Sequence, residues 1–245
     1  MSIVEVRELT KIYGSGETAV TALDHVSLSV EAGEFVAVMG PSGCGKSTLL
    51  NLIGGLDTPT SGAVLIDGTD IAGMKDDDLT MLRRRRIGFV FQFFNLIPVL
   101  DATENAALPL TLDGKGGEAS ARALDWLGKV GLADRARNRP DQLSGGQQQR
   151  VAMARALVTD PALVLADEPT GNLDSHSAEE ISQLLRQASD EWGRAIVMVT
   201  HDPKVAMHAQ RIVLMRDGAI VDDVKVGGKG GQTAIRAAME KAGLL

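Results

Sequence analysis

The sequence predicts an α/β fold built on a mostly parallel central sheet. Three runs, Phe35-Val36-Ala37-Val38-Met39, Leu163-Val164-Leu165-Ala166 and Ile196-Val197-Met198-Val199, are continuously apolar, as strands buried on both faces are. Stretches with helical spacing precede the second and third, and strands alternating with helices make a parallel sheet between helical layers. With 245 residues, 44% of them hydrophobic, the chain has material for a substantial core, which excludes disorder. No heptad pattern persists, and no run approaches the roughly 20 apolar residues that span a bilayer. Met1 to Glu5 carries no basic and apolar signal region, and Cys44 is the only cysteine, so a cytosolic chain is expected rather than a secreted disulfide scaffold. A net charge of -7 gains little from counterion release, so no nucleic-acid partner is expected.

In chain order, Ile3-Val4-Glu5-Val6-Arg7 and Val26-Ser27-Leu28-Ser29-Val30 alternate as half-buried strands do, with Tyr13-Gly14-Ser15-Gly16 as a loop between them. The run ending at Met39 passes through a glycine-rich loop into a helix from Ser47 to Gly54. Ile87 to Phe91 is a further strand. Residues 95–158 show no strand pattern; they are rich in Ala and Leu at helical spacing and punctuated by Pro98, Pro109 and Pro140. They predict a helical subdomain, about 93–158, inserted into a core of about 1–92 and 159–226. Lys115-Gly116-Gly117 is expected as an exposed loop. Glycine-rich residues 227–231 predict a flexible joint before a short helix from Thr233 to Ala242 that ends the single domain, 1–245.

The loop after the first buried run is Gly40-Pro41-Ser42-Gly43-Cys44-Gly45-Lys46-Ser47, the pattern G-x-x-x-x-G-K-S of a P-loop, with a strand before it and a helix after it as the motif requires. Gly40, Gly43 and Gly45 let the backbone N–H groups, those of Ser42 and Cys44 included, turn inward around phosphates. The helix N-terminus adds its positive dipole end. Lys46 suits β- and γ-phosphate charge, Ser47 a Mg²⁺ ion and Thr48 the α-phosphate. Asp167 and Glu168 end a buried strand, where a carboxylate can hold Mg²⁺. Alternation along the strand would send the two acids to opposite faces, giving Asp167 the metal and Glu168 the attacking water as general base. Pro169 leaves a second reading open, in which the acids cap a helix. Cys44, near a helix N-terminus, is either a thiol of lowered pKa or an inert small residue.

Leu143-Ser144-Gly145-Gly146-Gln147, followed by a helix to Leu157, resembles the signature motif of ATP-binding cassette (ABC) ATPases. The resemblance then covers nearly the whole chain. Tyr13, the sole tyrosine, resembles the aromatic residue that stacks on adenine; Gln92 the Q-loop glutamine that touches Mg²⁺ and the attacking water; Asn172-Leu173-Asp174 the D-loop; and His201 the switch histidine that contacts the γ-phosphate. Gly171-Asn172-Leu173-Asp174 departs from the common Ser-Ala-Leu-Asp. With Ala166 to Thr170, the segment from Thr103 to Leu110 and the run Arg83 to Arg86, it is similar to the macrolide-export and lipoprotein-release subfamily.

The resemblance implies a P-loop NTPase of ABC type, with an antiparallel β region beside the parallel core. It implies ATP and Mg²⁺ as cofactors, and ATP hydrolysis coupled to transport, as export or lipid and lipoprotein extraction. Lys46, Ser47 and Glu168 of one chain would face Ser144 and Gly146 of a second copy in a head-to-tail homodimer, and Gly145, Gln147 and Asp174 are implied as further nucleotide-binding residues. A separate membrane permease would dock near Gln92 to Pro98, placing the chain on the inner face of the cell membrane. The alternative is a non-transport ATPase that regulates a membrane partner, as in cell division. A small-molecule kinase would not need the signature pentapeptide, a chromosome-structuring ATPase would need a long coiled-coil insert, and a translation-associated protein would carry two cassettes. Phe89 and Phe91 are expected as core side chains. Phe93 and Phe94 serve either partner docking or packing between lobes. Arg83 to Arg86 is either a solvated face or a contact with a membrane partner or anionic lipid.

Overall fold

A computed structural model describes residues 2–226 and Glu240. The joint and C-terminal helix expected over 227–245 lie, but for Glu240, outside the described residues.

The first part of the chain forms β1 (Ser2–Tyr13), β2 (Val20–Glu31), β3 (Phe35–Met39), α1 (Lys46–Ile53), β4 (Ser61–Ile66), β5 (Thr69–Asp70), α2 (Asp76–Arg86) and β6 (Ile87–Phe91). Three helices follow: α3 (Ala102–Leu112), α4 (Gly116–Lys129) and α5 (Gly145–Leu157). The chain returns through β7 (Leu163–Asp167), α6 (Ser175–Asp190), β8 (Ala195–Val199), α7 (Pro203–Ala206), β9 (Arg211–Arg216) and β10 (Ala219–Lys225). An antiparallel sheet of order β2-β1-β4-β5 stands beside a six-stranded sheet of order β10-β9-β3-β8-β7-β6. In the larger sheet β9, β3, β8, β7 and β6 run parallel, and only β10 is antiparallel.

The continuous apolar runs are explained by burial on both faces. All five residues of β3 are fully buried. Val36 and Val38 face the core shared with α1 and the antiparallel sheet, while Phe35, Ala37 and Met39 face the helices. The P-loop follows β3, Glu168 follows β7, Gln92 follows β6 and His201 follows β8. The registers Val38↔Val199, Asp167↔Val199 and Phe91↔Asp167 bring these strand ends to one edge, where open α/β sheets bind ligands.

Several boundaries differ from the sequence expectation. Tyr13 is the last residue of β1, paired with Val20, because the antiparallel ladder holds it in strand geometry, and a 3-10 turn over Gly16–Thr18 closes the connection. Gly116 and Gly117 are exposed but already form the first turn of α4. Arg83 to Arg86 form the last turn of α2, whose first turn carries Asp76, Asp77 and Asp78; both charge blocks complement the helix dipole. The arginines are engaged by protein. Arg83 donates to Gly55 O at 2.8 Å, Arg85 to Asp113 at 2.9 Å, and Arg86 pairs with Asp67. Asp113, at the end of α3, also meets Lys115 and holds its carboxyl below the usual range, chiefly through the Arg85 hydrogen bond. The run thus ties α2 to the helices that follow β6. Across the same helical layer, the rings of Trp126 and Trp192 meet edge to face at 4.9 Å.

Candidate nucleotide site

The P-loop conformation depends on glycine. Gly45 is the N-cap of α1 at φ +98°, and a Cβ there would lie 2.3 Å from Ala22 O. Gly40 has no room either, since its Cβ would stand 2.3 Å from Met215 O and 2.5 Å from Cys44 Sγ. Lys46 folds back over the loop, its Nζ donating to Gly40 O and Pro41 O at 2.8 Å each. The ammonium is therefore held at the centre of the loop, 7% exposed, where phosphate oxygens can replace the carbonyls. Cys44 is 5% exposed and packed in the core against α1, which favours the inert reading of its thiol.

Ser47 Oγ donates to Asp167 Oδ1 at 3.1 Å, joining the start of α1 to the end of β7. Burial raises the Asp167 carboxyl above its ordinary value, with a further push from Glu168, while Ser47 and Lys46 oppose it. Glu168 lies outside strand geometry, at φ +46°. Strand alternation therefore does not set its direction. A left-handed turn does, and Glu168 N still donates to Val199 O. No helix starts at Pro169: the chain turns through Gly171, and α6 begins only at Ser175, capped by Asp174. The capping reading of the acid pair is thereby corrected. Glu168 Oε1 instead meets His201 Nδ1 at 2.9 Å.

Gln92 sits at the same edge. Its Nε2 donates to Asn172 Oδ1 at 3.3 Å, and Asn172 Nδ2 donates back to Gln92 O at 3.0 Å. Gly171 permits this contact, because a Cβ there would lie 2.8 Å from Gln92 Nε2. Tyr13 lies beside Thr48 of α1. Its hydroxyl donates to Asp57 Oδ2 at 2.7 Å, and the Lys11 ammonium lies 4.7 Å from the ring centroid. Burial, then the Asp57 hydrogen bond, raises its phenol.

The remaining expected residues gather elsewhere. Ser144 caps α5 in a capping box: its Oγ accepts from Gln147 N at 3.3 Å, and Gln147 Oε1 accepts from Ser144 N at 2.9 Å. Gly145 packs near Leu173, and Gly146 near Ser177 of α6. Asp174 accepts from His176 N and Ser177 N, and its carboxyl is lowered mainly by the Ser177 hydrogen bonds. Among the described residues, none of these groups hydrogen-bonds to residues 40–48. One chain therefore holds two separate clusters: Tyr13, the P-loop, Gln92, Asp167, Glu168 and His201 in the first, and Ser144 to Gln147 with Asp174 in the second.

Beside the first cluster runs an apolar groove of about 480 Å³, lined by Leu56, Phe89, Phe91, Leu108, Pro109 and Leu112. Phe89 and Phe91 are half-buried and stacked at 5.7 Å; Phe89 packs against the core as expected, and both also line the groove. Phe93, next to Gln92 in the chain, is 72% exposed, while Phe94 turns toward Gly145. The two phenylalanines have thus parted company: Phe94 lies against the start of α5 and Phe93 faces solvent.

Comparison with known proteins agrees with this arrangement. The ABC transporter family model matches residues 23–171. The macrolide export ATP-binding/permease protein MacB of Mannheimia succiniciproducens is 49% identical over 226 residues, covering 92% of this chain and 35% of the relative. The chain thus spans about a third of the length of that relative. The ABC transporter ATP-binding protein MJ0796 of Methanocaldococcus jannaschii, itself described as uncharacterised, is also 49% identical, over 92% of this chain and 98% of its own length. The dimeric post-hydrolysis structure of MJ0796 bound to ADP and Pi superposes with a TM-score of 0.83, covering 92% of this chain and 100% of the other.

Proposed function

The chain belongs to the ABC transporter family, and from that premise we propose that it is the ATP-hydrolysing subunit that drives a separate membrane permease through ATP-dependent dimerisation. The separation of the two clusters carries this reading. The P-loop side offers Lys46, Ser47, Asp167, Glu168 and His201. In the Ser144 turn the capping box engages the N–H groups of Ser144 and Gln147, and the Ser144 hydroxyl hydrogen and the first-turn N–H groups of Gly145 and Gly146 are left for a ligand. Two copies placed head to tail would complete both sites, with each ATP bound between the P-loop of one chain and the signature turn of the other.

ATP would displace the Gly40 and Pro41 carbonyls from Lys46, whose charge then serves the β- and γ-phosphates. The exposed part of the Tyr13 ring would carry the adenine. The Ser47 hydroxyl and Asp167 carboxylate are hard oxygen donors that already meet, a set that fits Mg²⁺, which takes few protein ligands beside phosphate oxygens and water. Bound there, Mg²⁺ would offset phosphate charge. Glu168, held in place by His201, would accept the proton of the attacking water as its oxygen bonds to the γ-phosphorus and the bond to the β,γ-bridging oxygen breaks, releasing ADP. Gln92 would orient that water, and the nearby groove with exposed Phe93 suits an amphipathic helix of the permease. The likeness to MacB supports export as the direction and the inner face of the membrane as the place. Glu168→Gln tests the reading: it should keep ATP binding, lose most hydrolysis and accumulate an ATP-bound dimer. Hydrolysis near the wild-type rate would exclude Glu168 as the base.

A further inference from the structure

Gln149 lies on α5, one and a half turns beyond Ser144, and is completely buried. Its Nε2 donates to two carbonyls in separate segments: Phe91 O at 3.1 Å, at the end of β6 immediately before Gln92, and Pro169 O, immediately after Glu168. Two acceptors use both amide hydrogens, which fixes the orientation of the side chain. Its Oε1 is buried without a hydrogen-bond partner, an arrangement that costs stability and that packing alone does not require. Six residues further along the same helix, Arg155 donates to Phe94 O at 2.7 Å and also to Asn95 O, on the far side of Gln92. Phe94 and Asn95 are both left-handed, at φ +52° and +51°, so this stretch of backbone is held in a sparsely populated conformation. The Asn172 amide secures Gln92 from the opposite side.

We propose that Gln149 is a positioning residue through which α5 moves the loops of Gln92 and Glu168 as one unit. A nucleotide contact at Ser144, about 7.5 Å away along the helix, would shift α5. Gln149 would carry that shift to the carbonyls that flank both groups. Each chain would thereby adjust its own Gln92 and Glu168 when its signature turn engages the nucleotide held by its partner. This rests on the proposed head-to-tail dimer.

Gln149→Met keeps the length and apolar stem but donates nothing. The expected result is a kcat lowered by about tenfold or more, since small displacements of reacting groups are expensive. KM for ATP should stay within about twofold, because the P-loop is untouched. An equal change in both parameters, or a kcat within about twofold of wild type, would overturn the proposal. If Gln149→Met lacks a cooperative thermal transition, hydrogen exchange on Glu168→Gln decides instead. As ATP is titrated, residues 91–95, 168–172 and 145–149 should gain protection together, and independent responses would refute the coupling. Glu168→Gln protein that fails to dimerise with ATP would sink the dimer reading itself, a result distinguishable from a wild-type kcat in Gln149→Met.

Discussion

Substitutions at Ser144 separate the two tasks assigned to that side chain, capping its own helix and meeting a nucleotide held by a second copy. Alanine removes the weaker of the two capping-box bonds, Oγ to Gln147 N at 3.3 Å, and leaves Gln147 Oε1 free to accept from residue 144 N as it does at 2.9 Å. A loss of about 0.5–1 kcal/mol follows, at the low end for N-caps. In a chain of this size that lowers Tm by about 1–4 °C. Aspartate caps as well as serine and favours the helix dipole, so Ser144→Asp should melt close to wild type. Its charge, however, would face the γ-phosphate across the dimer. Two like charges about 4 Å apart at an effective dielectric near 20 repel by about 4 kcal/mol, roughly a thousandfold in dimer affinity. Scanning calorimetry without nucleotide measures the first effect. Sedimentation velocity with ATP, in the Glu168→Gln background, measures the second. If Ser144→Asp dimerises as tightly as Glu168→Gln alone, the signature turn does not face a phosphate and the reasoning fails.

Asp167→Asn should abolish Mg²⁺-dependent hydrolysis yet melt at or above the wild-type temperature at pH 7. The folded carboxyl is raised above 3.8 mainly by burial, so its stabilising contribution is full below about pH 3.8 and is lost as pH rises through the folded value. The ionised group is thus a burden at neutral pH, and the gain in Tm should shrink as pH falls toward 4; a lower Tm at pH 7 would contradict this. Phe93→Ala should leave the ATPase activity of the isolated chain unchanged and weaken coupling in vesicles that hold the permease, because Phe93 is a large apolar side chain 72% exposed next to Gln92. Loss of basal activity would place Phe93 inside the site instead.

Much of this was legible because chemistry and sequence spacing coincide. The P-loop glycines, the buried strand ending at Asp167 and the pentapeptide at Ser144 each announce a local conformation. Glu168 shows where such reasoning stops: strand alternation assigned it a face, but the chain leaves the strand at φ +46° and a left-handed turn directs it to His201. The helix α2 was hard to see because it fully buries no residue and its apolar side is short, Leu79 and Leu82 packing part-buried against the core; terminal charges and the ion pairs of Arg85 and Arg86 add support. The strand β9 did carry an apolar run, Ile212 to Met215, and could have been read. Gln149 could not: a glutamine beside two others looks like an exposed helix face, and only the tertiary fold buries it between the segments that carry Gln92 and Glu168.

The central claim is that each working site joins the P-loop of one chain to the signature turn of another. Mixing two disabled proteins tests it most directly. In the Glu168→Gln background, Lys46→Ala lacks the phosphate lysine and Ser144→Asp lacks a usable signature turn, so neither alone should dimerise with ATP. In a mixed pair, the P-loop of the Ser144→Asp chain meets the intact signature turn of the Lys46→Ala chain, and one complete site remains. Sedimentation velocity of the mixture should therefore show an ATP-dependent dimer absent from either parent. No dimer in the mixture, or a dimer in either parent alone, would contradict the account.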